Sequence, residues 1–193
     1  MCGRYYIPDD GDFDDISTML SRIRELYKDS PLLPSLKLGE IFPSDIVPVI
    51  TESSPELMKW GFTGFDGKRL IINARIETVQ EKAMFRKSFA EKRCLIPAGA
   101  YFEWRKDGGR KQKYAIRQHQ PIYMAGFYCI EEPSQLPLFV IMTRPALPEL
   151  AFIHERMPVI IPKQECRSWL KGDLGSRELS ELSPGSFDFE GVG

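Results

Sequence analysis

The sequence predicts an α+β fold, in which a single domain is built on a curved, mostly antiparallel sheet or partly open barrel flanked by helices. Three observations support this prediction. The 193 residues include 42% hydrophobic and 11% aromatic side chains, which suffices for one substantial core. Three segments carry apolar residues at helical spacing, and short apolar runs separated by turns fill the middle of the chain. A meander of strands with helices around it is typical of the α+β class.

The helices are predicted from the spacing of apolar residues. They recur every three or four positions over residues 13–27, and the acidic residues 9–15 favour a helix N-terminus. A calcium loop is the alternative for these acids, but the glycine among them is misplaced for one. Further helices are predicted over residues 78–92 and 164–170, with a helical turn over residues 149–152.

The strands are predicted from short apolar runs between Pro and Gly residues. The basic run 105–113 contains Gly108 and Gly109 and indicates a hairpin tip, and His119 indicates a turn between strands. From residue 172 the Ser, Gly and Glu content rises, so we expect one domain over residues 1–193 with a loose tail over 172–193. The predicted strands are residues 45–51, 57–62, 70–74, 94–97, 101–105, 114–117, 122–128, 138–143 and 157–161.

Charge and cysteine usage exclude several classes of protein. The 26 basic and 27 acidic side chains give a formal charge of −1, so any nucleic-acid contact must come from a local basic groove. The chain has no C-x-x-C pair and two histidines, which argues against a zinc site and a disulfide scaffold. Without a signal peptide or a run of about 18 apolar residues, we expect a cytoplasmic protein with no membrane partner.

Cys2 is the first candidate for chemistry because of its position. After loss of Met1 it would carry a free α-amine and a thiol, with unperturbed pKa values of about 8 and 8.5. Such a 1,2-aminothiol attacks an aldehyde twice, because the amine forms a Schiff base and the sulfur then closes a thiazolidine ring. The alternative is that Cys2 follows the initiator methionine by chance.

Three further residues are candidates for the same chemistry. Asn73, the only asparagine, ends an aliphatic run, so its amide either caps a turn or holds a reactive group. Glu103 lies between aromatic neighbours that favour a raised pKa, and the alternative is an exposed carboxylate paired with a basic residue. His154 is either a proton carrier near neutral pH or a side chain that closes a turn, and His119 has no assigned role.

Taken together, the motifs resemble the SOS response-associated peptidase family over roughly residues 1–170. Two local departures accompany the resemblance: Ala100 stands where members usually carry glycine, and Phe42 where a smaller residue is common. The matching fragments are Met1-Cys-Gly-Arg4, Trp60-Gly61, Asn73-Ala-Arg75 with Glu77-Thr78, Arg93-Cys-Leu-Ile-Pro97, Phe102-Glu-Trp104, Thr143 and His154-Glu-Arg-Met-Pro158.

The resemblance implies a groove for single-stranded DNA and a thiazolidine crosslink between the mature N-terminal cysteine and an abasic site, without a metal or organic cofactor. Cys2 is then the nucleophile, Asn73 holds its amino end and the opened sugar, and Glu103 and His154 carry protons. The family also implies self-removal of Met1. The implied DNA path is lined by Arg4, Pro43, Trp60, Arg75, Thr143 and Arg156, with Pro43 in a loop that wedges beside the lesion.

The expected partner is single-stranded DNA that contains abasic sites, bound by a monomer that associates with the nucleoid during repair. The basic run 105–113 is either a DNA contact or a solvated tip. Two rival functions stay open. An N-terminal-nucleophile amidohydrolase would use the amine of Cys2 as a base for its thiol, although Asn73 lacks the following glycine that such enzymes use. A reversible reader of modified or single-stranded DNA would need neither nucleophile.

Overall fold

The computed structural model describes residues 2–9, 11–132 and 134–192. The first half of the chain forms β1 (Arg4–Ile7), α1 (Asp14–Leu26), β2 (Gly39–Ile41), β3 (Ile46–Ile50), β4 (Pro55–Trp60), β5 (Phe62–Thr63), β6 (Leu70–Ile71), β7 (Asn73–Arg75) and α2 (Ala83–Glu91). The second half forms β8 (Arg93–Asp107), β9 (Arg110–Cys129), β10 (Leu138–Pro145), β11 (Arg156–Pro158), α3 (Cys166–Lys171), α4 (Ser176–Glu181) and β12 (Asp188–Val192).

The main sheet closes on itself into a barrel. Its strands run in the order β12-β9-β10-β4-β3-β8-β1-β2, and β9 also pairs with β8, which joins β9, β10, β4, β3 and β8 into a ring. The pairings of β10 with β4 and with β7 are parallel, and the other pairings in the sheet are antiparallel. The prediction of an α+β domain on a curved, mostly antiparallel sheet is confirmed.

The longest hairpin, β8–β9, replaces four strands that the sequence indicated separately. The register shifts from Ala98 opposite Ile122 to Ala100 opposite Arg117, so residues 118–121 form a bulge. His119 therefore lies within a bulged strand and not in a turn between strands. A bulge of this kind bends and twists a strand, and that bend lets both strands continue around the barrel.

Two helices differ in detail from their predictions. α1 begins with Asp14 and Asp15 in its first turn, where acidic side chains favour a helix N-terminus, but the N-cap residue is Phe13 and no described side chain caps the helix. Asp10 lies outside the described residues. α2 begins at Ala83 and not at residue 78. The residues before it form turns in which the N–H groups of Glu81 and Lys82 donate to the carbonyl of Thr78.

The C-terminal segment is ordered, in contrast to the loose tail expected from its composition. β12 pairs antiparallel with the edge of β9, and Leu179 of α4 is fully buried. The Arg144 guanidinium donates to the carbonyls of Ser180 and Leu182, which ties α4 to β10. Polar composition did not reveal these contacts because backbone groups supply most of them. Gly193 lies outside the described residues.

The core consists of two clusters on either side of the barrel wall. One fills the barrel and packs against α1, and it includes Cys2, Tyr5 and Trp60. The other lies beneath α2, α3 and α4 and is rich in aromatic rings, among them Phe127 and Trp169. In the part of the chain that the structure describes, no helix is long and apolar enough to cross a membrane.

Candidate active site

Cys2 lies inside the barrel, directly before β1. Its side chain is fully buried, and the Sγ–H group donates to the Arg4 carbonyl at 3.6 Å. Burial raises the pKa of the Cys2 thiol well above its usual range, and the Glu103 carboxyl raises it further. The thiol is therefore protonated near neutral pH. The state of Met1, and with it the predicted self-removal, lies outside the described residues.

Asn73 contacts the main chain of Cys2 across 71 positions of sequence. Its Nδ2 donates to the Cys2 carbonyl at 2.8 Å, so the amide acts over a long range and does not cap a local turn. Its Oδ1 is buried and has no hydrogen-bond partner among the described residues. A buried acceptor without a partner costs free energy, which favours a donor supplied by a ligand or by the mature α-amine.

Glu103 lies on β8 with its side chain turned into the site. The residue is 3% exposed, so the alternative of an exposed surface carboxylate is wrong. Burial raises the pKa of Glu103 from its usual 4.5 to about 7. A carboxyl group with this pKa both gives and accepts protons near neutral pH.

His154 follows a helical turn in which its own N–H donates to the Leu150 carbonyl at 3.3 Å. Its Nδ1 accepts the backbone N–H of Arg156 at 2.9 Å, which assigns the proton of the neutral ring to Nε2. Burial lowers the pKa of His154 below its usual 6.5, so the neutral form dominates at pH 7. His154 thus has both a structural contact through Nδ1 and an Nε2–H group that can donate a hydrogen bond.

A cavity joins Glu103 and His154 to the basic hairpin tip. Its volume is about 730 Å³, and Glu103 and His154 both line it. In the sequence, the lysines of the hairpin were explained better by solvation than by a DNA contact. The structure brings them to the same cavity. The lining residues are Arg4, Glu103, Trp104, Lys106, Lys111, Gln112, Lys113, His154 and Val192.

Two of the expected DNA-path residues, Arg156 and Thr143, belong to one hydrogen-bonded network. Arg156 is paired with Glu77 through two nitrogen–oxygen contacts of 2.6 and 3.0 Å. Its Nη2 also donates to the carbonyl of Thr143 at 2.7 Å, and Thr143 is fully buried. Arg75 lies opposite Thr143 in the sheet and is exposed. The network holds Arg156 in place beside an arginine that faces solvent.

Arg4 lies on β1 and lines the cavity. Its guanidinium contacts Glu40 at 3.0 Å, and its Cζ lies 3.9 Å from the centroid of the Phe42 ring. Lys113 contacts the same Glu40 oxygen at 2.7 Å. Pro43, which is half-buried, follows the exposed Phe42 in a loop. The carboxylate of Glu40 therefore neutralises part of the positive charge at the mouth of the cavity.

Trp60, which was predicted to line the DNA path, is buried in this structure. Its ring is fully buried, packs against Tyr5 and Phe139, and donates from Nε1 to the Ile72 carbonyl at 3.0 Å. The tryptophan is therefore a core residue. An exposed aromatic that the sequence reasoning missed is Phe65, 89% exposed in the turn between β5 and β6. Its position after Gly64 in a turn was the available signal.

Acidic, cysteine and histidine side chains do not gather elsewhere in a metal-binding group. Within residues 2–9, 11–132 and 134–192, no cluster of three or more His, Cys, Asp or Glu residues has a suitable arrangement. The four cysteines are all thiols. The candidate groups of the site are a thiol, an amide, a carboxyl group and an imidazole.

Comparisons with known proteins identify relatives of this chain and a shared fold. The abasic site processing protein YedK of Escherichia coli (strain K12) is 29% identical over 193 residues, covering 95% of this chain and 85% of that protein. The abasic site processing protein YoqW of Bacillus subtilis (strain 168) is 30% identical over 186 residues, covering 88% and 80%. A crystal structure of a protein from Bacteroides thetaiotaomicron shares the fold, with a TM-score of 0.78 over 99% of this chain and 92% of that one at 24% identity. Because the sequence profile described as SOS response associated peptidase (SRAP) matches residues 1–188, the chain belongs to that family.

Proposed function

We propose that this chain processes abasic sites in single-stranded DNA by forming a thiazolidine crosslink through Cys2. The observation that carries the proposal is the hydrogen bond from Asn73 to the Cys2 carbonyl, which fixes the N-terminal residue beside Glu103. The relatives YedK and YoqW are named abasic site processing proteins, which supports the same DNA lesion as substrate.

The reaction begins with the ring-opened sugar, whose C1 carries an aldehyde. The α-amine of Cys2, released by hydrolysis of the Met1–Cys2 peptide bond, attacks this carbon and forms a carbinolamine. Loss of one water gives the imine. The Cys2 sulfur then adds to the imine carbon, and the thiol proton passes to the imine nitrogen. The net change joins aldehyde and aminothiol with release of one water.

The burial of the site determines the order of these steps. Because the buried Cys2 thiol is protonated, the amine is the first nucleophile and the sulfur the second. Glu103, with a pKa of about 7, supplies the proton for loss of water and accepts one in the reverse direction. The Nε2–H group of neutral His154 donates a hydrogen bond to the sugar oxygen during ring opening, while the proton of the C1 hydroxyl passes to that oxygen through solvent. Asn73 Oδ1 accepts a hydrogen bond from the α-amine.

The DNA backbone follows the exposed basic residues around the cavity. Arg4 and Arg75 contact phosphates on either side of the lesion, and Lys106 and Lys111 continue this surface along the hairpin. Arg156 and Thr143 position the strand from the wall of the site, and the loop that contains Pro43 wedges beside the lesion. One copy of the chain supplies all of these groups, which supports a monomer as the active species.

The decisive experiment uses Met1-free protein and a single-stranded oligonucleotide with one abasic site. Denaturing gels without reductant should show a shifted band for the parent, whose mass equals protein plus DNA minus one water. Cys2→Ala should give no band. Cys2→Ser, which keeps the amine but loses the sulfur, should give only a complex trapped by borohydride. A tetrahydrofuran analogue of the lesion, which lacks the aldehyde, is the control for the DNA.

Two outcomes would contradict the proposal. If intact aldehyde DNA gives no band with verified Met1-free protein, and binding survives Cys2→Ala, the chain is a reversible reader of DNA. If the parent hydrolyses glutamine in a manner that depends on Cys2, it is an amidohydrolase. The structure gives little support to the second outcome, because Asn73 Nδ2 contacts the chain's own Cys2 carbonyl.

A further inference from the structure

A group of three aromatic rings, two of them exposed and one half-buried, lies outside the residues used above. We call Tyr114, Phe152 and Phe189 the aromatic patch. Phe152 is 45% and Phe189 40% exposed, with ring centroids 5.3 Å apart. Tyr114 and Phe152 are 5.8 Å apart, nearly perpendicular at 86°. Neighbouring aromatic rings left in contact with water cost free energy, and on soluble proteins such patches commonly mark a binding surface.

The aromatic patch adjoins the candidate active site through three separate elements. Tyr114 of β9 lies directly opposite Glu103 of β8, so both side chains are on the same face of the sheet. Phe189 of β12 lies opposite Ile116, two residues along that face. Phe152 precedes the proton carrier His154 by two residues. Strand pairing and the turn therefore place the patch beside the cavity.

Positive charge accompanies these rings. The Cζ of Arg105 lies 5.8 Å from the centroid of Phe152, and Lys106 and Lys111 line the adjoining cavity. Exposed aromatic faces beside a track of basic residues are the combination with which proteins hold single-stranded nucleic acid, because every base has a face that can stack. This charge favours a polyanion over an apolar protein surface as the occupant.

We propose that the aromatic patch stacks the unpaired nucleobases next to the abasic nucleotide and so adds affinity for the nucleotides that flank the lesion. This inference rests on the proposed function and extends it to the substrate's neighbouring bases. Phosphates contact the lysines of the cavity, and the adjoining bases lie against Phe152 and Phe189. A lesion within a continuous duplex cannot present its bases in this way.

The test measures binding of Met1-free protein by fluorescence anisotropy to two strands. Both carry the tetrahydrofuran analogue at the lesion, so no crosslink forms. One has normal flanking bases, and the other has base-free spacers beside the lesion. We expect the parent to bind the spacer strand roughly tenfold more weakly. Phe152→Leu should bind the normal strand roughly tenfold more weakly, and the spacer strand no worse than the parent does.

Three controls separate stacking from damage to the fold. Phe152→Tyr keeps a ring and should retain parental affinity. Phe189→Leu tests the patch from a second element and should weaken binding in the same way. Leu26→Ala removes an apolar side chain of nearly equal exposure, 44%, from α1 and should change nothing. Thermal unfolding of each variant verifies that it is folded.

The outcomes are distinguishable from those of the crosslinking experiment. The inference is overturned if Phe152→Leu and Phe189→Leu bind the normal strand as tightly as the parent does. It is also overturned if these variants weaken binding to the spacer strand as much as to the normal strand. Both results would count against it even when crosslinking succeeds. If the two perturbations are coupled but no crosslink forms with aldehyde DNA, the patch stands as a single-strand binding surface and the covalent function fails.

Discussion

At the scale of residues, the site combines a thiol that is hard to ionise with a carboxyl group whose pKa lies near neutral pH. Burial raises the pKa of Cys2 above its usual range and that of Glu103 to about 7. A buried thiolate would be the better nucleophile toward many electrophiles, but an imine carbon accepts sulfur while its nitrogen takes the proton. The arrangement therefore suits an aldehyde substrate that the amine attacks first.

Replacement of Glu103 by glutamine should slow crosslinking and remove its dependence on pH. The amide keeps the shape of the side chain but cannot transfer a proton, so the rate should fall by about 10²-fold. In the parent, the rate should change with an inflection near pH 7, where Glu103 titrates. Both effects are measured by quenching the crosslinking reaction at successive times and running denaturing gels, at pH values from roughly 5.5 to 8.5, on either side of the pKa of Glu103. An unchanged inflection in Glu103→Gln would assign it to another group.

The same substitution should stabilise the protein at alkaline pH. Because the pKa of Glu103 rises from 4.5 to about 7 on folding, stability is full below pH 4.5 and is lost as the pH rises through about 7. At pH 8 the ionised carboxylate then costs on the order of 3 kcal/mol, which Glu103→Gln avoids. Urea unfolding at pH 5 and pH 8 compares the two proteins. Equal stability differences at both values would contradict the prediction.

Trp60 and Glu103 show how much of the site is readable from residues alone. The motifs located Cys2, Asn73, Glu103 and His154, and the structure brings Glu103 beside Cys2 and to the cavity that His154 lines. Trp60 was assigned to the DNA path because its neighbours in sequence matched. Alternation along β4 puts it on the same inward face as the buried Met58, and that pattern was the better guide.

At the scale of elements, Gly126 shows why β9 can pass so close to two other strands. A Cβ atom at this position would lie 2.5 Å from Ile96 Cδ1 and 2.6 Å from the Val140 carbonyl oxygen. Gly126→Ala should therefore destabilise the fold by about 2 to 3 kcal/mol, because a backbone atom cannot yield as a side chain can. Chemical unfolding measures the loss. Gly99→Ala, whose nearest contact is 3.3 Å from a Phe13 ring atom, should cost less.

Arg144 links the C-terminal segment to the barrel. Its replacement tests whether that segment can unfold while the barrel stays folded. The guanidinium donates to the carbonyls of Ser180 and Leu182, at 2.8 and 3.0 Å. Arg144→Ala should leave these carbonyls without their donor and speed amide exchange over residues 176–192. The barrel strands β3 and β4 should exchange as before. Uniformly faster exchange throughout the chain would show that the segment and barrel unfold together.

Sequence patterns located most strands but not their lengths or partners. The runs on either side of Gly99 and of residues 118–121 appeared as separate strands because a glycine or a Gln-rich stretch interrupted them. The structure continues both through a shared bulge. Pairing with a neighbour supplies the hydrogen bonds that maintain an extended backbone there, and a single-sequence pattern does not contain that information.

At the scale of the whole molecule, closure of the barrel determines the environment of Cys2. β8 pairs with both β3 and β9, and this closure surrounds Cys2 with core side chains from strands far apart in sequence. Composition predicted a single core and the α+β class, but the position of Cys2 inside that core depends on these long-range pairings. The neutral overall charge leaves attraction of DNA to a local surface.

The affinity for single-stranded DNA should therefore depend only modestly on salt concentration, and a few basic residues should account for that dependence. Each phosphate that a basic side chain neutralises contributes about −0.7 to the slope of log K against log salt for single strands. Lys106→Gln with Lys111→Gln removes two charges at the cavity and should make the slope shallower by about 1.4. Lys28→Gln, on a lysine paired with Glu25 in the region of α1, is the matched control and should leave the slope unchanged. Anisotropy titrations with the tetrahydrofuran strand at several salt concentrations measure it. An unchanged slope in the double variant would exclude the hairpin from the DNA contact and restrict phosphate binding to Arg4 and Arg75.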